Sequence, residues 1–204
     1  MDPFILTLFQ FAVLIFSVIV HEISHGFMAL RLGDETAKNA GRLTLNPVSH
    51  IDPIGSILLP LSMYFLHAPM IGWAKPVPYN PLNLYKDPKY GPLKVALAGP
   101  FSNLALAVIF GLFLRFAGLL IPETAAELVA LIVLINCVLF VFNLIPIPPF
   151  DGSKILTTFL PFEYAIKLER LGFNGLLIIL LALSFFPGFV DGLARGLFSI
   201  IVGA

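Results

Sequence analysis

The first apolar run of the chain is long enough to cross a membrane. It covers Phe4–Leu32, and Gly33 follows it as a natural helix stop. As an α-helix the run would be about 44 Å long, whereas the hydrocarbon layer of a bilayer is about 30 Å thick. No charged residue interrupts it before the trio of His21, Glu22 and His25. The pattern predicts a transmembrane helix with a polar trio near its carboxyl-terminal end.

Three further apolar runs predict spanning helices. They cover Val95–Ile121, Ala125–Leu144 and Asn174–Val190. Residues Phe162–Phe173 mix charged and apolar side chains in the manner of a short amphipathic helix at the membrane interface. The predicted fold class is therefore an all-α polytopic membrane protein with about four full transmembrane helices.

The region after the first helix is less regular. Residues 51–73 are mostly apolar, but one aspartate and three prolines interrupt them, which favours a re-entrant or hairpin region over a full crossing. Residues 42–46 alternate in a strand-like way, with Leu43 and Leu45 on one side. Together with residues 75–79, they predict short β-strands beside the re-entrant region.

Composition narrows the class of protein. Of the 204 residues, 58% are hydrophobic and only 12% are charged, and the mean hydropathy is +0.96. Soluble domains carry about 25% charged residues, so a soluble globule and a disordered chain are both excluded. Twelve basic and twelve acidic residues cancel, which leaves no net field to attract nucleic acid. We expect a single membrane domain over residues 1–204, with its core at 4–155 and an interfacial helix and last span at 156–204.

The polar trio of the first helix has the spacing of a metal site. His21 and His25 lie four residues apart, so both imidazoles project from one helix face and can reach one ion. Zinc accepts such nitrogen ligands and, in catalytic sites, keeps one position for water. Glu22 projects from the same turn and can take a proton from that water. Ionisable residues within a membrane helix cost roughly 2.5–3.5 kcal/mol each, which favours a functional role over simple packing.

A third protein ligand has few candidates. His50 and His67 lie in the irregular middle region, and Asp52 precedes a proline as turn residues often do. Asp151 follows a helix end and has no evident capping role. Its carboxylate would complete a site of two histidines and one carboxylate, so Asp151 is the favoured third ligand.

Three asparagines lie within the predicted spans at 95–121 and 125–144. Asn143 is eight residues before Asp151, and its amide could stabilise an oxyanion. The alternative for an asparagine in a span is a hydrogen bond between helices, worth about 1 kcal/mol. That alternative accounts for Asn103 and Asn136 better than for Asn143.

Several motifs resemble the site-2 protease family of intramembrane zinc metalloproteases. They are HEISHG at 21–26, AGPFSN at 98–103 and NLIPIPPFDG at 143–152, with shorter likenesses at 41–47 and 72–78. The resemblance covers about residues 10–155 and includes both halves of the candidate site. Phe150 stands where many members have leucine, and the chain has no room for the PDZ or CBS regulatory domains that some members carry.

The resemblance implies a role for individual residues. It implies one zinc ion per chain, held by His21, His25 and Asp151. Glu22 would then be the general base, and Asn143 would assist the scissile carbonyl. Gly99 and Asn103 match the family's Gly-x-x-x-Asn position in the central helix and are expected to support the site. The implied activity is hydrolysis of peptide bonds in or near transmembrane segments, in regulated intramembrane proteolysis.

The two halves of the site constrain the topology. The histidines and Asp151 both lie near carboxyl-terminal helix ends, so those two helices must run in the same direction. The span at 95–121 crosses back, and the span at 125–144 returns in the direction of the first helix. Residues 51–73 can therefore contribute either no full crossing or two. Ten of the twelve basic residues then lie on the metal side, whereas Arg115 and Arg195 lie opposite. This distribution predicts a multi-pass protein of the cell membrane with its site toward the cytoplasm.

A membrane metal transporter or metal-binding protein is the alternative function. A transporter needs ligands along a path and often has a repeated architecture, whereas this chain places its ligands at one depth and has no internal repeat. The expected partners are a transmembrane protein substrate and the lipid bilayer, without nucleic acid, and the sequence leaves the oligomeric state open. Because a helical substrate hides its carbonyls, the strands around Leu43 and Leu45 could hold an unwound segment by edge pairing.

Overall fold

The computed structural model describes residues 2–58, 62, 65, 74–172, 174–186 and 188–203. Its α-helices, in chain order, are α1 (Pro3–Leu32), α2 (Thr36–Asn39), α3 (Gly91–Ala117), α4 (Glu123–Asn143), α5 (Ser153–Phe159), α6 (Phe162–Glu169), α7 (Asn174–Phe185) and α8 (Phe189–Val202). Short 3₁₀ turns cover Pro47–His50, Pro81–Asn83 and Gly118–Leu120, and a π-helical turn covers Pro53–Leu58.

Three of the described helices are long and apolar enough to cross a membrane. They are α1, α3 with its 3₁₀ extension to Leu120, and α4. Helices α6 and α7 provide a fourth if this pair, bent by 78°, counts as one span. The prediction of a helical membrane protein with about four spans is therefore confirmed at this level. Helix α1 ends where the sequence indicates, because Gly33 takes a left-handed conformation with φ 116°.

Buried residues at every fourth position form one face of α3. They are Gly99, Asn103, Ala107 and Gly111. Because the two glycines and the alanine add little bulk to the helix, α1 and α4 pack closely against α3. The three helices form the centre of the fold, with the polar trio of α1 facing the amino-terminal half of α3.

The structure corrects the prediction for the last span. The helix predicted over Asn174–Val190 ends at Phe185, and Gly188 precedes a new helix, α8, with φ 86°. A left-handed residue cannot continue an α-helix, so the chain turns there. Helix α8 then packs on α3 and α4, where Ala194 and Ile201 join the buried core. Within the predicted range Phe162–Phe173, the structure has a short helix, α6, which ends at Glu169.

The predicted short β-strands are not confirmed. The described residues contain no strand, and residues 42–46 and 75–79 are irregular. The guanidinium of Arg42 instead donates to the carbonyl oxygens of Lys75 and Pro76, at 2.8 and 3.4 Å. Pro76 and Pro78 have no N–H to donate, which weakens a backbone ladder along this segment. Most of residues 59–73 lie outside the described residues, so the re-entrant or hairpin region stays a prediction.

A buried carboxylate joins the end of α1 to the loop before α3. Asp34 is fully buried and accepts hydrogen bonds from Thr36, from the amide of Asn80 at 2.6 Å and from the side chain of Asn83 at 3.0 Å. Burial raises the pKa of Asp34, but these hydrogen bonds outweigh it and hold the pKa below its usual range. Next to them, Leu84 packs into a cluster with Leu32 and other buried side chains. The loop is therefore fixed beside the end of α1.

Candidate metal centre

Two imidazoles of α1 and one carboxylate beyond α4 meet at a single point. The Nε2 atoms of His21 and His25 are 3.0 Å apart. Oδ2 of Asp151 lies 3.1 Å from Nε2 of His21 and 3.3 Å from Nε2 of His25. The side chains are 8%, 12% and 22% exposed for His21, His25 and Asp151. The structure thus brings together the three residues that the sequence singles out as metal ligands.

The partners of the other ring nitrogens define the tautomer of each imidazole. Nδ1 of His21 lies 2.7 Å from Oδ1 of Asn103, and Nδ1 of His25 lies 2.7 Å from the carbonyl oxygen of Val95. Each oxygen can only accept, so Nδ1 donates in both rings and each neutral imidazole carries a lone pair on Nε2. With both rings neutral, two lone pairs and a carboxylate oxygen therefore face one another. A bound cation can satisfy all three atoms at once.

The size of this triangle fits zinc. Zinc takes histidine nitrogens at about 2.0–2.1 Å and carboxylate oxygens at about 2.0–2.2 Å in tetrahedral geometry, which places the ligand atoms about 3.3 Å apart. The three observed separations are 3.0, 3.1 and 3.3 Å. Oδ2 of Asp151 is buried and has no hydrogen-bond partner among the described residues, so it remains available as a ligand. Three protein ligands leave the fourth tetrahedral position to water.

A tight turn after α4 carries Asp151 to the histidines. The amide of Gly152 donates to the carbonyl oxygen of Asn143 at 2.7 Å, which brings the chain back toward the end of the helix. A side chain at position 152 would collide with the carbonyl oxygen of Leu144. Next to it, the ring of Phe150 packs edge-to-face on that of Phe142, with centroids 4.6 Å apart. The glycine and the aromatic pair together fix the carboxylate.

Glu22 stands beside the three ligands. One of its carboxylate oxygens lies in a group with imidazole nitrogens of His21 and His25, all within 4.8 Å of one another. Oε2 of Glu22 accepts a hydrogen bond of 2.8 Å from the amide of Val77, in the loop before α3. A carboxylate has two oxygens, and no hydrogen bond to Oε1 is found among the described residues, so Oε1 can receive a proton. The arrangement suits the base that the sequence predicts at this position.

Gly99 of α3 forms the surface on which the imidazoles rest. A Cβ atom at this position would lie 2.6 Å from Nε2 of His21 and closer still to Nε2 of His25. Only a residue without a side chain leaves room for the rings in their present positions. One turn along α3, Asn103 is fully buried and contacts the other side of His21. The two residues predicted to support the site thus both touch its ligands.

The site opens into a cavity of about 450 Å³. Its walls include the three ligands, Glu22 and Asn143. The side-chain amide of Asn143 donates to the carbonyl oxygen of Leu139 at 2.9 Å, which uses one of its two N–H groups. The second N–H of Asn143 is left for a ligand in the cavity.

The cavity wall also contains residues that the sequence analysis missed. Tyr79 and Lys154 line it, and Nζ of Lys154 pairs with Oε1 of Glu169 at 2.6 Å. Burial raises the pKa of the Tyr79 phenol, although the Lys154 charge lowers it. The amide of Val77 at Glu22 was missed as well. Only Lys154, three residues after Asp151, had a sequence signal, because one helical turn brings it back to the same side.

The other candidate positions take ordinary structural roles. Nε2 of His50 donates to the carbonyl oxygen of Thr44 at 2.8 Å, and Oδ1 of Asp52 accepts from two following backbone amides. Leu43 packs near Gly26 of α1, whereas Leu45 is 60% exposed. None of these four residues lines the cavity. His67 lies outside the described residues.

The comparison with known proteins agrees with this geometry. The Bacillus subtilis protein YwhC, whose name places it among the zinc metalloproteases, is 37% identical over 178 residues. The alignment covers 82% of this chain and 76% of YwhC. The sequence model of peptidase family M50 matches residues 118–183, which contain Asn143 and Asp151. The chain belongs to family M50. Family M50 is the site-2 protease family, so the resemblance found in the sequence is confirmed.

More distant relatives of this M50 chain carry names of the same kind. Rip2 of Mycobacterium tuberculosis, also named among the zinc metalloproteases, is 35% identical over 143 residues, which are 69% of this chain and 52% of Rip2. Zinc metalloprotease MJ0392 of Methanocaldococcus jannaschii is 25% identical over 154 residues, or 76% of this chain and 35% of that protein. No solved structure matches the chain. Its family identifies it as a metalloprotease with zinc as its metal.

Proposed function

We propose that this M50 protein is an intramembrane endopeptidase. Its substrates are membrane proteins, which it cuts in or near a transmembrane segment as a step of regulated intramembrane proteolysis. It acts in the cell membrane with its site toward the cytoplasm, since the topology predicted from the sequence puts ten of its twelve basic residues on the metal side. His21, His25 and Asp151 hold the zinc ion, and Glu22 and Asn143 act on the substrate.

The separation of the three ligand atoms carries this proposal. Nε2 of His21, Nε2 of His25 and Oδ2 of Asp151 form a triangle with sides of 3.0 to 3.3 Å, as a tetrahedral zinc ion requires. The ligands come from both halves of the chain, so the triangle is a property of the fold and not of one motif. A carboxylate beside the triangle is the addition that a hydrolase needs and that a purely structural metal site does not.

The residues divide the work of hydrolysis between them. Zinc, when bound, supplies positive charge that acidifies water and polarises a carbonyl oxygen. Glu22 takes the proton of the attacking water on Oε1, because the amide of Val77 holds Oε2 in place. Glu22 then delivers that proton to the leaving amine. The free N–H of Asn143 donates to the carbonyl oxygen of the substrate as negative charge develops there.

The experiment compares zinc content and cleavage for wild type and Glu22→Gln. Each protein is reconstituted in liposomes with a set of single-span reporter proteins, and zinc is quantified by elemental analysis. We expect one zinc ion per chain in both proteins and cleavage by wild type alone, since glutamine cannot accept the proton. Glu35→Gln is the matched control, because Glu35 is an exposed carboxylate near the same helix end and, in the described part of the chain, its ion-pair partner is Lys38.

The results separate the proposal from its alternatives. Cleavage that survives in Glu22→Gln overturns the role of Glu22, and a wild type without zinc overturns the metal centre. A wild type that binds zinc but cuts no reporter contradicts the protease proposal and favours a metal-binding or transport protein. In that case, zinc flux into the same liposomes measures the transport function.

A further inference from the structure

A chain of buried amides links α4 to the metal ligand of α1. Asn103 of α3 and Asn136 of α4 are fully buried, and Ser17 of α1 is 4% exposed. Nδ2 of Asn136 donates to the carbonyl oxygen of Ile132 at 2.9 Å and to Oγ of Ser17 at 3.0 Å. Nδ2 of Asn103 donates to Oδ1 of Asn136 at 3.0 Å. The chain of hydrogen bonds ends at His21, where Oδ1 of Asn103 meets Nδ1 at 2.7 Å.

The backbone of α4 fixes the direction of every hydrogen bond in this series from Asn136 to His21. The carbonyl of Ile132 can only accept, so the amide nitrogen of Asn136 must point to it and the oxygen must point to Asn103. Asn103 then has to present its nitrogen to Asn136 and its oxygen to His21. That oxygen can only accept, so a neutral His21 carries its proton on Nδ1 and keeps its lone pair on Nε2. A carbonyl on α4 thus determines which nitrogen of a ligand on α1 can bind metal.

We propose that Asn136 is a positioning residue for the metal centre, acting on His21 through Asn103. This inference rests on the proposed function, because it assigns His21 as a zinc ligand. Asn136 lies outside the metal site and its cavity wall, and it touches His21 only through the amide of Asn103. It holds the asparagine amide in the one orientation that suits a zinc-binding tautomer.

The opposite orientation of Asn103 shows why Asn136 is needed. An asparagine amide can turn over with little change in shape, which would present its N–H groups to His21. His21 would then accept at Nδ1 and carry its proton on Nε2, where it blocks metal binding. In the wild type this turn would place the oxygen of Asn103 against the oxygen of Asn136. Without Asn136, one acceptor for Nδ2 of Asn103 remains among the described residues. It is the carbonyl oxygen of Ser17, 3.3 Å away, and it alone would disfavour the turned amide.

The test measures the tautomer and the zinc affinity separately. The protein is labelled with ¹⁵N at its four histidines and titrated without zinc to a pH at which the rings are neutral, so that the imidazole shifts report which nitrogen carries the proton. We expect the Nδ1–H tautomer for His21 of the wild type. In Asn136→Leu we expect a measurable fraction of the Nε2–H tautomer and about tenfold weaker zinc binding. A competing chelator of known affinity measures the binding.

Ser17→Ala provides the matched control. It removes a polar group from the same buried cluster, but Asn136 still donates to Ile132 and still accepts from Asn103. We expect this variant to keep the tautomer and the zinc affinity of the wild type. Equal losses in both variants would show that the cluster acts through packing alone and would overturn the inference.

The unchanged chain also tests the inference, so it does not depend on the folding of a variant. If zinc-free wild type holds His21 as the Nε2–H tautomer, the inference is wrong even though zinc still binds. If wild type binds no zinc, the proposed function is wrong, and the inference that rests on it is wrong as well. Normal zinc binding with an unchanged tautomer in Asn136→Leu removes the role of Asn136 and leaves the proposed function intact.

Discussion

The substitution Gly99→Ala is expected to weaken zinc binding strongly and to leave the fold in place. The added methyl group would lie 2.6 Å from Nε2 of His21 and closer to Nε2 of His25, whereas ordinary contacts of a Cβ atom are 3.4–4 Å. Nε2 of His21 would therefore have to retreat by about 0.8 Å. Metal–ligand distances tolerate only about 0.2 Å, so neither imidazole can keep its place as a ligand. We expect zinc affinity to fall at least 100-fold, which is about 2.7 kcal/mol.

Helix packing offers a matched control for this prediction. Gly111 lies on the same face of α3, and a methyl group there would collide with Cγ2 of Ile201, far from the ligands. Both alanine variants overfill a tight contact, which costs about 1–3 kcal/mol of folding free energy. We therefore expect a similar loss of thermal stability without metal in both, and a loss of zinc affinity in Gly99→Ala alone.

The assay is competition with a chromophoric chelator in detergent, with thermal unfolding of the zinc-free protein measured in parallel. Two results would refute the reasoning. Gly99→Ala could bind zinc within threefold of the wild-type affinity, which would mean that the imidazoles do not lie against Gly99. Alternatively, Gly111→Ala could lose as much affinity, which would mean that general loosening of the helices causes the effect.

Two further predictions concern the loops that hold the site. Hydrogen bonds hold the pKa of Asp34 in the folded protein below its unfolded value of about 3.9. The ionised carboxylate therefore stabilises the fold fully above about pH 3.9, and this contribution is lost as the pH falls through the folded pKa. Asp34→Asn should lower the free energy of unfolding at pH 7 by about 2 kcal/mol. It should also weaken the fall of the melting temperature at acidic pH. Parallel plots of melting temperature against pH for wild type and variant would contradict this prediction. Gly152→Ala should lower both stability and zinc affinity, since its methyl group meets the carbonyl oxygen of Leu144. Gly192→Ala, with nothing within 4 Å, should change neither, and melting and chelator titrations check both variants.

Local signals in the sequence predict the parts of the fold that depend on neighbouring residues. Helix α1, its end at Gly33 and the common face of His21 and His25 were predictable, because each depends on residues a few positions apart in the sequence. Asp151 follows from the small number of carboxylates in the chain. The hydrogen bonds of Asn103 and Asn136 also agree with the role expected of asparagines in a membrane helix.

Contacts between distant segments were not predictable in this way. The amide of Val77 reaches Glu22 from a proline-rich loop that has no periodicity, so no pattern announces the contact. Helix α8 is short and amphipathic, and its polar residues Asp191 and Arg195 suggest an exposed end. Its opposite face nevertheless completes the core through Ala194 and Ile201. The strands predicted from alternation are absent from the described residues because side-chain hydrogen bonds and prolines replace the backbone ladder there.

The face of α3 that contains Gly99, Ala107 and Gly111 makes the metal centre sensitive to the distance between helices. Gly99 sets how near α1 can come, and the three residues that follow at intervals of four keep the neighbouring helices at that distance along the membrane. The separation of His21 from Asp151 is thus tied to how closely α1, α3 and α4 pack together. A lipid or detergent that moves these helices apart changes the ligand triangle before it unfolds any helix. Zinc affinity measured across bilayers of different thickness therefore reports on helix packing as well as on chemistry.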